Sequence, residues 1–200
     1  LDFGYGFNQP VNNLPYSIVS IKFRGYFNQP VDNLPESLTH IEFGDYFNQS
    51  VDNLPSGLTH LVFGAKFNQP IKSLPNSLTH LEFGWSFNQL VDISDEDSPT
   101  GKSSILPESL KHLVLGNDFN QPVENLPNGL THLEFGPKFN QPVDKLPESL
   151  IHLVLGNNFN QPVTYQTESS QNGKSPTLLP KSLTHLEFGW DFNQPVDNLP

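Results

Sequence analysis

Leu54-Pro55-Ser56-Gly57-Leu58-Thr59-His60-Leu61-Val62-Phe63-Gly64-Ala65-Lys66-Phe67-Asn68-Gln69-Pro70-Ile71-Lys72-Ser73 is one copy of a unit that runs the length of this chain. Its Phe-Asn-Gln tripeptide occurs nine times, beginning at Phe7, Phe27, Phe47, Phe67, Phe87, Phe119, Phe139, Phe159 and Phe192, and six of the eight intervals are 20 residues. A fixed period of this size means one short coil per unit. Such a coil cannot bury its apolar face alone, so stability must come from stacking on its neighbours. Function is then to be sought on a surface.

Within the unit, Leu58, Leu61 and Phe63 form an L-x-x-L-x-F pattern, and the alternation over residues 60–63 predicts a short strand with one buried face. Gly64 ends the strand, and the expectation is that it adopts a backbone conformation closed to residues with side chains. Phe67, Ile71 and Leu54 complete the inward set. Pro55 and Pro70 fall on the return path, where a missing N–H and a fixed φ suit an extended, polyproline-like back. The expected fold is a β-rich solenoid with one short parallel strand per 20-residue repeat and an irregular, Pro-containing return side. All sixteen Phe occupy two repeat positions, so one domain over 1–200 accounts for the apolar residues.

A formal charge of -11 with only ten Lys and Arg argues against nucleic acid or an anionic membrane and favours a protein partner. No apolar run approaches the roughly 18 residues of a membrane span. Cysteine is absent, which leans towards an intracellular location. The chain opens at Leu1-Asp2-Phe3-Gly4, the second half of a strand segment, and stops at Asn198-Leu199-Pro200, where a coil should begin. The expectation is a stretch of a longer array.

The units over residues 27–44, 119–136 and 139–156, FNQPVDNLPESLTHIEFG, FNQPVENLPNGLTHLEFG and FNQPVDKLPESLIHLVLG, resemble the FNIP repeat, a leucine-rich-repeat-like unit known from social amoebae and giant viruses of amoebae. The resemblance covers the chain apart from two insertions, although units of that family are commonly nearer 22 residues. It implies a right-handed, leucine-rich-repeat-like stack. Because these repeats are often joined to an F-box, it also implies a protein-interaction scaffold, such as the substrate-recognition part of an F-box-type ubiquitin-ligase adaptor, in the host cytoplasm if viral. It transfers no catalytic residue. A rigid structural spacer is the alternative.

Two outward columns follow from the strand alternation. All seven His share one position: His40, His60, His80, His112, His132, His152 and His185. Two residues on, Lys22 is followed by Glu42, Val62, Glu82, Val114, Glu134, Val154 and Glu187. These columns can be packing decoration, a partner-binding face or a place for a stray metal ion, and a uniform ladder singles out no one place for an ion. Trp85 and Trp190 stand at equivalent positions after the strand, where an exposed indole would suit partner binding. The Asn of every Phe-Asn-Gln is expected to form a buried ladder satisfying turn backbone groups, which also discounts the sequon at Asn48-Gln49-Ser50.

Insertions at 93–105 and 165–178 break the period at the same point of the coil and read as surface loops. Both contain Gly-Lys-Ser, but the glycine that a phosphate-binding loop needs five residues earlier is Glu96 in one and Glu168 in the other. Ser98-Pro99 and Ser175-Pro176 are candidate phosphorylation sites. Ser, His and Glu recur with the repeat and define no unique pocket, so neither an enzyme nor a cofactor is expected.

Overall fold

The computed structural model describes residues 1–93, 103–164, 177–196 and 199–200. Eight short strands form one parallel sheet: β1 (Ser20–Lys22), β2 (His40–Glu42), β3 (His60–Val62), β4 (His80–Glu82), β7 (His112–Leu115), β8 (His132–Phe135), β9 (His152–Val154) and β10 (His185–Glu187). Strand order follows the sequence, and the register advances by one repeat at each step, so that Leu61 lies between Ile41 and Leu81. The second residue of each of these strands faces inward. That residue is Ile41, Leu61, Leu81, Leu113, Leu133 or Leu153 in successive coils, each 2% exposed or less.

Behind the sheet lie the two Phe columns. Phe63 and Phe67 of one coil stack at 3.8 Å between ring centroids, and Phe67 meets Phe47 at 6.1 Å and Phe87 at 6.0 Å in the adjacent coils. Fully burying each ring removes enough apolar surface to contribute about 1.5–3 kcal/mol. The expected inward set is observed, with two partial exceptions: Leu54 and Phe188 are only half-buried. Phe188 belongs to the last coil of the stack, which is covered on one side only.

Spacing between equivalent Phe rings grows with depth. Neighbouring strands lie about 4.8 Å apart, the Phe23 to Phe83 column steps by 5.4–5.6 Å, and the Phe27 to Phe87 column steps by 6.0–6.1 Å. The coils therefore fan apart away from the sheet. The stack bends with the sheet on its concave side.

Two expectations about the coil are corrected. Gly64 does not take a left-handed φ; among the described glycines only Gly25 does, at 44°. Glycine is needed because backbones touch. A Cβ on Gly64 would stand 2.3 Å from the Gly44 carbonyl oxygen, one on Gly84 2.1 Å from that of Gly64, and one on Gly116 1.7 Å from that of Gly84. The return side, in turn, is not continuously extended. It carries turns at residues 52–53 and 56–57, the second closed by the Leu58 N–H donating to the Pro55 carbonyl at 3.1 Å.

The insertions leave the stack through paired necks. β5 (Asp92–Ile93) and β6 (Ser103–Ser104) pair antiparallel beneath the first, and Thr164 bridges Thr177 beneath the second. Glu96, Glu168 and both Ser-Pro pairs lie outside the described residues.

Candidate functional site

The concave face is built from what points away from the core. In β3, β4, β7, β8 and β9 the first and third residues are half-buried and the second is buried, which places the His and the Glu/Val columns together on the solvent side. All seven His pair in register. Their rings stack at 4.2 Å (His40 with His60), 4.1 Å (His60 with His80) and 4.2 Å (His152 with His185), and lie 5.4–5.7 Å apart across the middle of the column, where His112 and His132 are tilted by 31°.

A preceding threonine orients four of these rings. Thr39, Thr59, Thr79 and Thr131 each donate the Oγ1 hydroxyl to a backbone carbonyl of the previous coil, at 3.0–3.1 Å. That uses the only hydroxyl proton. The Nδ1 atoms of His40, His60, His80 and His132, at 2.8–3.0 Å from the same oxygens, must therefore donate to them. In neutral imidazole the other nitrogen is then a bare acceptor. The result is a row of Nε2 lone pairs presented with the ring edges. The Thr-His dipeptide was the sequence signal for this arrangement; His112 and His152 instead follow Lys111 and Ile151.

Burial lowers the pKa of His60, His112 and His152 below 6.5. At His60 the neighbouring imidazoles of His80 and His40 add to the effect, and at His152 that of His185 adds, whereas at His112 the Glu82 carboxylate opposes it. The Glu/Val column is unequal along its length. Lys22 pairs with Glu42, and the His152 Nε2 lies 3.7 Å from Glu134. Glu82 and Glu187 make no ion pair among the described residues.

Beside these columns runs the glycine column, which forms the floor of a shallow groove lined by Phe63, Gly84, Trp85, Gly116, Asn117 and Glu134. Trp85 is 59% exposed, and Trp190, in the last coil of the stack, is 91% exposed. Among the described residues no group of three or more His, Asp or Glu is placed to hold a metal ion. Among the described residues no helix is long and apolar enough to cross a membrane.

The Asn column lies on another part of the coil and differs from expectation. None of its members is buried. The Oδ1 of each Asn from Asn8 to Asn160 reaches the next coil: Asn68 Oδ1 accepts the Asn88 backbone N–H at 3.0 Å and the Gln89 Nε2 at 3.1 Å. The ladder clamps coil to coil, through a Gln whose role the sequence did not suggest.

The FNIP repeat model matches residues 7–46, 27–66, 47–86, 67–94, 100–138, 123–145, 139–165 and 175–200. Among solved structures, the giant-virus protein CroV588, described as a novel circular LRR protein, is similar with a TM-score of 0.83 and 47% identity over 100% of this chain. The chain spans 28% of that protein's chain. No curated protein matches.

Proposed function

We propose that this chain, which belongs to the FNIP repeat family, docks a protein partner on its concave sheet face. Leucine-rich-repeat-like stacks of this kind are typically interaction scaffolds, and solenoid curvature gives them their extended concave binding surfaces. The observation that carries the proposal is the in-register His column. Its acceptor atoms are held outward by the threonine behind them, and it runs beside carboxylates and an exposed Trp85. Packing alone needs neither a fixed tautomer nor an exposed indole.

Replacing His80, His112 and His132 together by Ser tests this. The fold, read by circular dichroism, should be retained, and proteins captured from a host-cell lysate by the parent should be lost. A return-side control, Asp144→Asn with Glu148→Gln, should keep them. A rigid spacer instead predicts the same captured set for all three proteins, and that result would defeat the proposal.

A finer version rests on the family resemblance alone. In it the repeats form the substrate-recognition part of an F-box-type ubiquitin-ligase adaptor inside the cell. Its test is whether the full-length protein co-purifies with a ligase core; its absence there would remove that version and leave the docking face standing.

A further inference from the structure

From Glu42 to Glu187 the third strand position alternates strictly: Glu42, Val62, Glu82, Val114, Glu134, Val154, Glu187. The strand positions that carry carboxylates thus recur at every second coil, about 9.6 Å apart along the backbone at the usual strand spacing. A polyproline II chain rises about 3.1 Å per residue, so residues three apart are separated by about 9.3 Å. The two repeats nearly coincide. An extended β-strand, at about 3.3 Å per residue, would offer side chains on one face about 6.6 Å apart and drift out of step within one interval.

The chemistry between the carboxylates is also specified. Each Glu shares its strand with a His two residues earlier, and at His80 and His132 the ring presents an unprotonated Nε2. A planar guanidinium, with five N–H donors and no acceptor, can give a forked pair to the carboxylate and a further N–H to the imidazole. An ammonium could take the charge but not the forked geometry. Val114 and Val154 lie between the carboxylates as half-buried apolar contacts, which suits the rings of prolines between the cations. Trp85, three residues after Glu82 and more than half exposed, offers a face on which a guanidinium can stack. At the N-terminal end Lys22 already occupies Glu42, so the positions without a Lys or Arg partner are Glu82, Glu134 and Glu187, with the His152 Nε2 3.7 Å from Glu134.

We propose that the concave face binds an extended, polyproline-like segment carrying arginine at every third residue, laid along the stack so that successive guanidinium groups reach Glu82, Glu134 and Glu187. This names the kind of partner and therefore rests on the docking reading above. Three such arginines span about 19 Å in the ligand, and the four coil steps from Glu82 to Glu187 span about the same.

The test uses two synthetic nonapeptides of identical composition, (Arg-Pro-Pro)3 and Arg-Pro-Arg-Pro-Arg-Pro-Pro-Pro-Pro, each with a neutral dye at its N-terminus. Binding is read by fluorescence anisotropy at pH 8 in dilute salt. The first peptide should bind at least tenfold tighter than the second. Glu82→Gln with Glu134→Gln should erase that difference, and Asp144→Asn with Glu148→Gln, which changes the net charge equally on the return side, should preserve it. Equal affinity of the two peptides, or equal loss in both variants, would overturn the proposal. If neither peptide binds while the triple His→Ser variant still loses its captured proteins, this inference falls and the docking face stands; if that variant keeps them, both fall.

Discussion

Replacing Gly84 by alanine should separate two coils. The added Cβ would stand 2.1 Å from the Gly64 carbonyl oxygen and 2.4 Å from its carbonyl carbon, both backbone atoms that no rotamer change can move. Relief requires the coils to part by about 1 Å, since carbon and oxygen in contact sit near 3.3 Å or more. Two intercoil hydrogen bonds flank the clash, Phe63 N–H to the Glu82 carbonyl at 2.9 Å and Ser86 N–H to the Ala65 carbonyl at 2.8 Å. Parting would stretch both out of range, at about 0.5–1.5 kcal/mol each. Strain in the adjoining Phe stack adds to this, and forced overpacking typically costs about 1–3 kcal/mol. A loss of about 3 kcal/mol is expected, measured by urea unfolding followed by far-ultraviolet circular dichroism. Gly57→Ala is the control. Its Cβ would meet only the Glu36 carbonyl oxygen, at 3.8 Å, and its φ is not positive, so the change should be neutral or stabilise by about 0.4–1 kcal/mol through the unfolded chain. Similar effects of the two substitutions, or a loss below about 1 kcal/mol at Gly84, would show that the column is not set by backbone contact.

Phe67→Ala should cost about 3–5 kcal/mol in the same unfolding assay, because a fully buried ring packed against its own coil and both neighbours leaves a cavity that three coils must close around. Asn68→Ala strands the Asn88 N–H and the Gln89 amide, but water reaches this half-exposed column, so the loss should be about 1 kcal/mol; no loss would remove the clamp. For pH, the folded-state pKa values of His60, His112 and His152 lie below 6.5, so between those values and 6.5 the unfolded chain binds more protons. Their contribution to stability is complete above pH 6.5 and is lost as pH falls through the folded-state values. Histidine NMR titration should place all three below 6.5, and a value above it would contradict the burial assigned to that ring.

Position along the coil was legible in the sequence, whereas distance between coils was not. The 20-residue period and the Leu61–Phe63 alternation suffice to place strand, core and outward columns, because each depends on a single chain of local geometry. The reason for Gly64 was misread: a glycine that allows a left-handed turn and one that lets a neighbouring backbone touch look alike until the coils are stacked. The Asn ladder was likewise assigned to its own turn although its acceptor serves the next coil. Thr-His was visible as a dipeptide, but its meaning depends on a carbonyl 20 residues away, to which the hydroxyl is committed. The concave curvature emerges only from comparing ring spacings at different depths.

The docking face is tested most directly by carbethoxylation of the histidines, read by mass spectrometry, with and without the captured partner. The reagent attacks an unprotonated ring nitrogen, so at pH 7.5 the outward Nε2 atoms of His40, His60, His80 and His132 should react readily in the free protein. With the partner bound, the central rings of His80, His112 and His132 should become protected while His40, at the N-terminal end of the column, keeps its reactivity. Unchanged reactivity along the column in the complex would place the partner elsewhere and contradict the account.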